Sequence, residues 1–520
     1  MSTAIPSAAQ RHAWLHRAAE LRQEPRMRTV IPGVVVKPVA DAKAWQGWRM
    51  EAVGDVKELA NRSLRRGAVV HIDLGEHLVG QPEIGVGSTG LAPDSPLRLR
   101  IRVSELPAEA ADPDRSIVGT ISSCWHQDEV VTVDEMPNTI RLPRRLAGRW
   151  LTIEVIDTAP NWQVLITAVR FHAVTGAAHD LPAPLPEWSP ALAAIDRAAM
   201  RTLRNCMQTV YEDGPKRDRR LWTGDLRLQL LADGVGFHRV HLAERCLLLL
   251  AAFAREKDGA FPACCFERPA PHPSIDVISD YCLAVPAILR ELLRQGGDEK
   301  LVRELAPLAR HQIALAMEWL GPDGTVVPPE GWWNFIDWKD GLDKRAPLHG
   351  VLCWALDAWL GLAATLGLQV GEDAGALALL RAAGRAAFCP DGAVTSGGQA
   401  SWAASAWMVL GGVITGAEAR AALLATIDDP AALKPGGPYL MHQVVHALWV
   451  AGERERAREL IAGYWGSMVA HGADVFWEIY DPEDPYRSPY KDFRLNSACH
   501  AWSCTPSWFL RAPERAAHTS

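Results

Sequence analysis

From about residue 188 to residue 512 the sequence repeats one pattern: an apolar helical segment, a loop, another helical segment, another loop. The segments include ALAAIDRAAMRTLRNCMQTVY, HRVHLAERCLLLLAAFAREK, LHGVLCWALDAWLGLAATLG and LMHQVVHALWVAG. Apolar residues recur in them at i, i+3, i+4 and i+7, as on one face of an α-helix, and about eleven such segments can be read. Several are apolar nearly all round, which places them in a buried inner layer; others, such as ERERARELIAGYW, are polar on one face. A chain alternating between the two kinds can stack as an open solenoid or close into a ring of hairpins. The ring, an (α/α)6 barrel, is the better solution because it closes its own core and gathers alternate loops around one mouth. The loops are rich in Gly, Pro, Trp and acids. Loops longer than about 12–15 residues inside a compact domain are functional or disordered, and these are too aromatic for disorder.

Residues 33–175 have a different texture. GAVVHIDLG (67–75), PLRLRIRVSE (96–105), NTIRLP (138–143), RWLTIEVID (149–157) and WQVLITAVRFHAV (162–174) are short, β-branched and often alternating. Gly, Pro and Asp separate them, the pattern of an antiparallel β-sandwich. A Pro-rich link, LPAPLPEWSP (181–190), follows. The expected fold is therefore mainly α: an N-terminal extension (1–32), a β-sandwich (33–180), an (α/α)6 barrel (188–512) and a short C-terminal tail (513–520).

Composition excludes several function classes. The 520 residues carry a net charge of −7, and Lys and Arg nowhere concentrate with aromatics, which argues against a nucleic-acid partner. The first thirty residues lack the apolar stretch of a secretory signal. The longest apolar runs, such as CLLLLAAFA (246–254), read as too short to span a bilayer. A cytoplasmic chain with no membrane partner is the expectation. Ten cysteines form no metal-ligand spacing, and Cys264 and Cys265 are adjacent, so reduced buried thiols and no metal centre are expected. Oligomeric state is not legible. Tryptophan stands out, with 21 against 7 Tyr and 10 Phe. Most must pack in the core, but an indole also makes a flat wall for a sugar ring, with an N–H to reach a hydroxyl.

Three loops carry candidate chemistry. The first is EDGPKRDRRLWTGD (212–225). Pro215 breaks any helix there and Gly214 permits a tight turn, so Asp213, Asp218 and Asp225 can converge. Arg217, Arg219 and Arg220 would hold the carboxylates and tune their pKa values. Read alone, the stretch is either a salt-bridged connector or half of an active site. The second is PPEGWWNFIDWKDGLDK (328–344), where Trp332, Trp333 and Trp338 surround Asp337. Such a loop either packs onto the domain or lines a pocket. The third is HGADVFWEIYDPEDPY (471–486), in which Glu478 follows Phe476-Trp477, an apolar collar able to raise a carboxylate pKa. NSACHAWSCTP (496–506) follows it; its His500 is structural or belongs to a site. Two carboxylates on separate loops of one barrel mouth suit glycoside hydrolysis, one protonating the leaving oxygen and the other activating water or attacking carbon.

These segments also resemble a known family. DGPKRDRRLWTGD is similar to the signature Asp-Cys-Pro-x-Arg-Glu-x-x-Gly-Trp-x-Gly-Asp of the bacterial α-L-rhamnosidases of glycoside hydrolase family 78. GADVFWE resembles the family's Gly-Ala-Thr-Thr-x-Trp-Glu, and NSACHAWSCTPSWFL its Asn-x-x-x-His segment with a terminal helix. VVHIDLGEHLVGQPEI resembles the β-sandwich that precedes its barrel. The likeness runs over roughly residues 65–511, in order. It implies a six-hairpin glycosidase that removes α-L-rhamnose with inversion, Asp218 as general acid and Glu478 as general base. It implies contacts to the sugar from Asp213, Arg217, Trp222 and Asp225, aromatic walls at Trp333 and Trp338 beside Asp337, and His500 near the base. It implies a rhamnosylated small molecule or oligosaccharide as partner, and no cofactor. Three positions depart from the pattern: Asp218 stands where Glu is usual, Gly214 replaces Cys and Leu221 replaces Gly. A six-hairpin enzyme acting on another sugar, a lyase, or a non-catalytic sugar binder are the alternatives.

Overall fold

The computed structural model describes residues 5–111 and 116–516. Its N-terminal part is a β-sandwich of nine strands among the described residues: β1 (Arg26–Val30), β2 (Val34–Ala40), β3 (Trp48–Asp55), β4 (Val69–Gly90), β5 (Leu97–Ser104), β6 (Asp128–Val133), β7 (Asn138–Arg141), β8 (Leu146–Asp157) and β9 (Trp162–Thr175). All pairings are antiparallel. One strand builds both layers. The first part of β4 pairs with β2 and β8, and its second part pairs with β7 and β9. The ladder with β8 shifts between Asp73 and Leu78, where Gly75 takes φ +88° and lets the strand bend from one layer to the other. Inward residues such as Ile72, Val86, Ile101, Leu151 and Phe171 fill the space between the layers.

The five strands read from the sequence are all present. The sequence reading missed β1, β2, β3 and β6, and it missed the second half of β4, whose Gly and Pro residues mask a strand of 22 residues.

The barrel follows. Among the described residues, six helix pairs run outer then inner: Pro190–Cys206 with Thr223–Asp233, Val240–Ala252 with Val285–Arg294, Glu299–Met317 with Arg345–Leu366, Asp373–Phe388 with Trp402–Leu410, Gly416–Asp428 with Pro438–Val450, and Arg454–Ala470 with Pro506–Arg511. The inner members pack in a ring, and Pro506–Arg511 closes it between Thr223–Asp233 and Pro438–Val450. At that closure His442 lies against Trp508 and Phe509, with ring centroids 5.8 and 5.1 Å away.

Thr223–Asp233 is the helix that the sequence reading did not separate from its loop. Every one of its residues is buried, Arg227, Gln229 and Asp233 included, so it offers no amphipathic contrast to read. Arg345–Leu366 corrects another expectation: by length and composition it is apolar enough to cross a membrane. Here it is an inner barrel helix, mostly buried against its neighbours.

Residues 5–32 contact both domains. The helix Ala8–Glu20 packs on Val240–Ala252 as a further layer, with Trp14 and Ala18 buried. Trp14 Nε1 donates to Glu304 at 2.5 Å, and Arg11 Nη1 donates to the Ala252 carbonyl at 2.9 Å. β1 then joins the sandwich beside β9. The tail is also partly engaged, since Trp449 Nε1 donates to the Pro513 carbonyl at 2.8 Å, while residues 517–520 lie outside the described residues.

Deleting the Trp14 side chain leaves a cavity at this contact. Trp14→Ala is expected to lower unfolding free energy by about 3 kcal/mol, measured by denaturant titration. A change below about 0.5 kcal/mol would mean that the helix is not part of the barrel's stability.

Candidate active site

The 212–225 loop folds around Asp213. Its Oδ1 accepts from the Arg220 N–H at 3.0 Å and its Oδ2 from the Asp218 N–H at 3.1 Å. The side chain thereby closes its own loop, as Asp does in turns. The loop ends in the two-residue strand Leu221–Trp222, paired with Cys264–Phe266, and the inner helix starts at Thr223. Asp225 therefore lies in the first turn of that helix. Gly214 is required for packing: a Cβ there would come within 2.3 Å of both the Arg217 carbonyl oxygen and Ser497 Oγ.

The two C-terminal segments are knitted to this loop through the backbone. Ala501 N–H donates to the Asp213 carbonyl at 2.7 Å, His500 N–H to Phe476 at 2.8 Å and Glu478 N–H to Ser497 at 2.9 Å. Residues nearly 300 apart in the chain thus share one short stretch of hydrogen-bonded backbone.

Arg217 links the two key carboxylates. Its Nη1 donates to Asp218 Oδ1 at 3.0 Å, its Nη2 to Glu478 Oε2 at 2.5 Å and its Nε to the Leu495 carbonyl at 2.7 Å. The guanidinium also lies 4.1 Å from the Tyr490 ring centroid. Glu478 accepts further bonds from Tyr490 OH at 2.6 Å and from Ser497 N–H at 2.9 Å. Burial pushes the Glu478 pKa up, but Arg217, His500, Tyr490 and Ser497 together outweigh it and hold the carboxyl below its usual range. This reverses the upward shift expected from an apolar collar. Trp477 turns away to pack on Trp45 and Tyr480, leaving the carboxylate among donors.

The neighbouring acids behave oppositely. Burial, then the Asp218 charge, raises Asp213 to about 7. Burial, then the charges of Asp213 and Glu478, pushes Asp225 well above the usual carboxyl range. His500 is lowered to about 4, chiefly by burial, so its ring is neutral near pH 7. His500 Nδ1 lies 3.7 Å from Asp225 Oδ1, and neither atom has a hydrogen-bond partner among the described residues.

The loops converge on one open pocket. Asp213, Arg217, Asp218, Trp222, Asp225, Trp333, Trp338, Glu478 and His500 line it. Asp218 is the most open of the four carboxylates, with 13% of its side chain exposed against 5% or less for Asp213, Asp225 and Glu478. Asp337 does not reach the lining. Its Oδ2 accepts the Gly436 N–H at 2.5 Å and anchors the aromatic loop instead. Asp280 holds the same loop by accepting from Phe335 and Ile336 N–H at 2.8 and 3.1 Å. The loop thus both packs on the domain and lines the pocket, while Trp332 faces Trp319, 4.5 Å away. Arg219 also departs from expectation: its Nε turns back to the carbonyls of Pro215 and Lys216 and bonds no carboxylate among the described residues. Arg220 stays near Asp218, at 3.6 Å, with its guanidinium over the Phe266 ring.

Sequence reasoning missed Tyr490, Trp502, Phe335, Tyr281 and Ile278, which complete the wall. Trp502 had a signal, two residues after His500 in a stretch already of interest. Tyr490, in a Pro-rich charged loop, had none.

Residues 32–173 match the glycosyl hydrolase family 78 α-rhamnosidase N-terminal domain, and residues 189–346 match the bacterial α-L-rhamnosidase six-hairpin glycosidase domain. Comparison with curated protein sequences gives no match. A rhamnosidase from Klebsiella oxytoca, solved with rhamnose bound, is 38% identical and superposes with a TM-score of 0.92, covering 97% of this chain and 99% of that one. The family 78 rhamnosidase of Bacillus sp. GL1 is 19% identical with a TM-score of 0.73, over 89% of this chain and 49% of that one. The α-L-rhamnosidase of Streptomyces avermitilis, complexed with L-rhamnose, is 17% identical with a TM-score of 0.67, over 94% and 44%. The last two share the fold. Both domains match in order, and the likeness at 38% identity spans nearly the whole of both chains. The chain therefore belongs to glycoside hydrolase family 78, the α-L-rhamnosidases.

Proposed function

We propose that the pocket hydrolyses the bond to a terminal, non-reducing α-L-rhamnosyl residue with inversion, Asp218 serving as general acid and Glu478 as general base. The observation that carries this reading is the Arg217 guanidinium between the two carboxylates, bonded to each. The shared cation holds both carboxylates at one pocket, and inversion is what the likeness to family 78 implies. The rhamnose bound by the Klebsiella oxytoca relative supports the same sugar here.

In this reading the sugar ring enters against Trp333 and Trp338. Its hydroxyls reach Asp225 Oδ1 and His500 Nδ1, two buried polar atoms with no partner among the described residues. Asp218, the most open carboxyl, faces the leaving group and gives its proton to the glycosidic oxygen as the bond to the anomeric carbon breaks. Glu478, kept ionised by its donors, takes a proton from a water whose oxygen bonds to that carbon from the opposite face. The products are free rhamnose and the aglycone alcohol. Both carboxyls then return to their starting states by exchange with solvent. In the cytoplasmic setting expected from the sequence, substrates would be small imported rhamnosides.

Asp218→Asn and Glu478→Gln are each expected to lower kcat on an aryl α-L-rhamnoside by on the order of 10³-fold with the fold intact by circular dichroism. Full activity in either would remove that residue from its role. NMR of the earliest product should find β-L-rhamnose; net retention would make Glu478 a nucleophile. Tyr490→Phe removes a donor that keeps Glu478 ionised, so the Glu478 pKa rises. The acidic limb of kcat/KM should then move to higher pH by about 1, the worth of one hydrogen bond to a charged group. An unmoved limb would mean that Glu478 does not set it.

A further inference from the structure

The residue before Arg217 is also a buried cation, and it points the other way. Lys216 is 1% exposed, with Nζ 2.9 Å from Glu105 Oε2 and 2.9 Å from Glu109 Oε1. Both acids belong to the β-sandwich side of the molecule: Glu105 follows β5, and Glu109 lies in the short helix Pro107–Ala111. The third Lys216 donor reaches the Arg494 carbonyl at 3.2 Å, next to the Leu495 carbonyl that Arg217 holds. Consecutive cations of the acid loop thus grip consecutive carbonyls of the segment beside the base.

Glu105 makes the matching connection. The same Oε2 accepts the Ala498 N–H at 2.6 Å, one residue after Ser497, whose N–H holds Glu478. Its Oε1 lies 3.1 Å from His77 Nε2, and its N–H donates to Glu109 Oε2 at 2.9 Å. His77 in turn is fixed to the barrel, since Asn205 Nδ2 lies 2.9 Å from both its Nδ1 and its carbonyl. One carboxylate of the sandwich therefore touches both the loop that carries Asp218 and the segment that holds Glu478. A second grip lies at the loop's start, where Arg145 donates to both oxygens of Glu212 at 2.8 and 2.7 Å.

Such a cluster costs desolvation, so it must be fully bonded to persist. Burial pushes the Lys216 ammonium down, but Glu105 and Glu109 outweigh it and keep it charged. Apolar side chains of the same volume would join the two domains at less cost. The ion cluster adds direction: a fixed distance and angle between the acid loop and the base segment.

We propose that Lys216 and Glu105 are positioning residues through which the β-sandwich sets the placement of Asp218 against Glu478. Neither touches the sugar pocket; both act through Arg217, Ser497 and the backbone between them. The proposal rests on the roles given to Asp218 and Glu478.

The test uses the full chain, an aryl α-L-rhamnoside and inhibition by free L-rhamnose. Lys216→Met should lower kcat by on the order of tenfold or more, since displacements near 1 Å carry such costs. Rhamnose inhibition should stay within about threefold, because Asp225 and His500 are untouched. The acidic limb of kcat/KM should move to higher pH as Arg217 loosens from Glu478. Glu105→Gln, a milder change at the same contact, should move kcat and the limb in the same directions and serves if Lys216→Met does not fold. The double variant Lys216→Met/Glu105→Gln separates stability from positioning. It should regain part of the Tm lost in Lys216→Met, because Glu105 no longer carries an unpaired buried charge, while kcat stays low and the limb stays shifted. Recovery of kcat together with Tm would overturn the proposal, as would a folded Lys216→Met or Glu105→Gln with parental kcat and an unmoved limb. If instead Asp218→Asn or Glu478→Gln keeps full activity while Lys216→Met loses it, the acid and base assignment fails, and with it the stated reason for the effect.

Discussion

A buried guanidinium cannot stand alone, and the active site is arranged around that constraint. Arg217 has 5% of its side chain exposed, and every terminal nitrogen meets a carboxylate. Taken from water without partners, such an ion would cost several kcal/mol. With Asp218 on one side, Glu478 on the other, the Leu495 carbonyl behind and the Tyr490 ring beneath, the charge is balanced. The same contacts define where two loops from opposite ends of the barrel's sequence must sit. Moving either carboxylate leaves the cation short of a partner, so the electrostatics that stabilise the site also set its geometry.

Around this ion triad the protein places groups shifted toward their neutral forms. Asp213 is raised to about 7, Asp225 is pushed well above the usual carboxyl range, and His500 is lowered to about 4, each chiefly by burial. Five titratable groups within one small pocket would repel or collapse if all ionised. Glu478 is left ionised, kept so by Arg217 and its other donors, among hydrogen-bonding groups that suit sugar hydroxyls. Asp213 combines two functions here. Its carboxyl orders the acid loop through two backbone donors, and its charge helps push the Asp225 carboxyl up.

The β-sandwich is part of this arrangement. Arg145 holds Glu212, Glu105 and Glu109 hold Lys216, and the hairpin residue Gln46 donates to the Pro485 carbonyl in the loop that carries Tyr490. Trp45 packs on Trp477 and His471 beside that loop. A barrel alone offers its loops only a common rim. The neighbouring domain presses three of them into register, and does so mainly with charged side chains whose bonds have direction.

The sequence by itself determined the architecture and most of the pocket's membership. Helical periodicity revealed the barrel because inner and outer helices differ in how far their apolar faces extend. Alternation revealed the sandwich wherever one strand face met solvent. Both signals failed where contrast vanished, in the wholly buried helix Thr223–Asp233 and in the Gly- and Pro-bearing half of β4. The three motifs contained Asp218, Glu478, Arg217 and His500 because each needs a particular side chain. Tertiary structure decided what those side chains do to one another. It turned Asp337 toward Gly436, turned Arg219 back on its own loop and brought Tyr490 to Glu478. It also lowered the Glu478 pKa where local sequence implied a rise. A pKa depends on every charge and donor within a few ångströms, and those of Glu478 come from segments 12 to 261 residues away in the chain. No local reading of residues 471–486 could contain them.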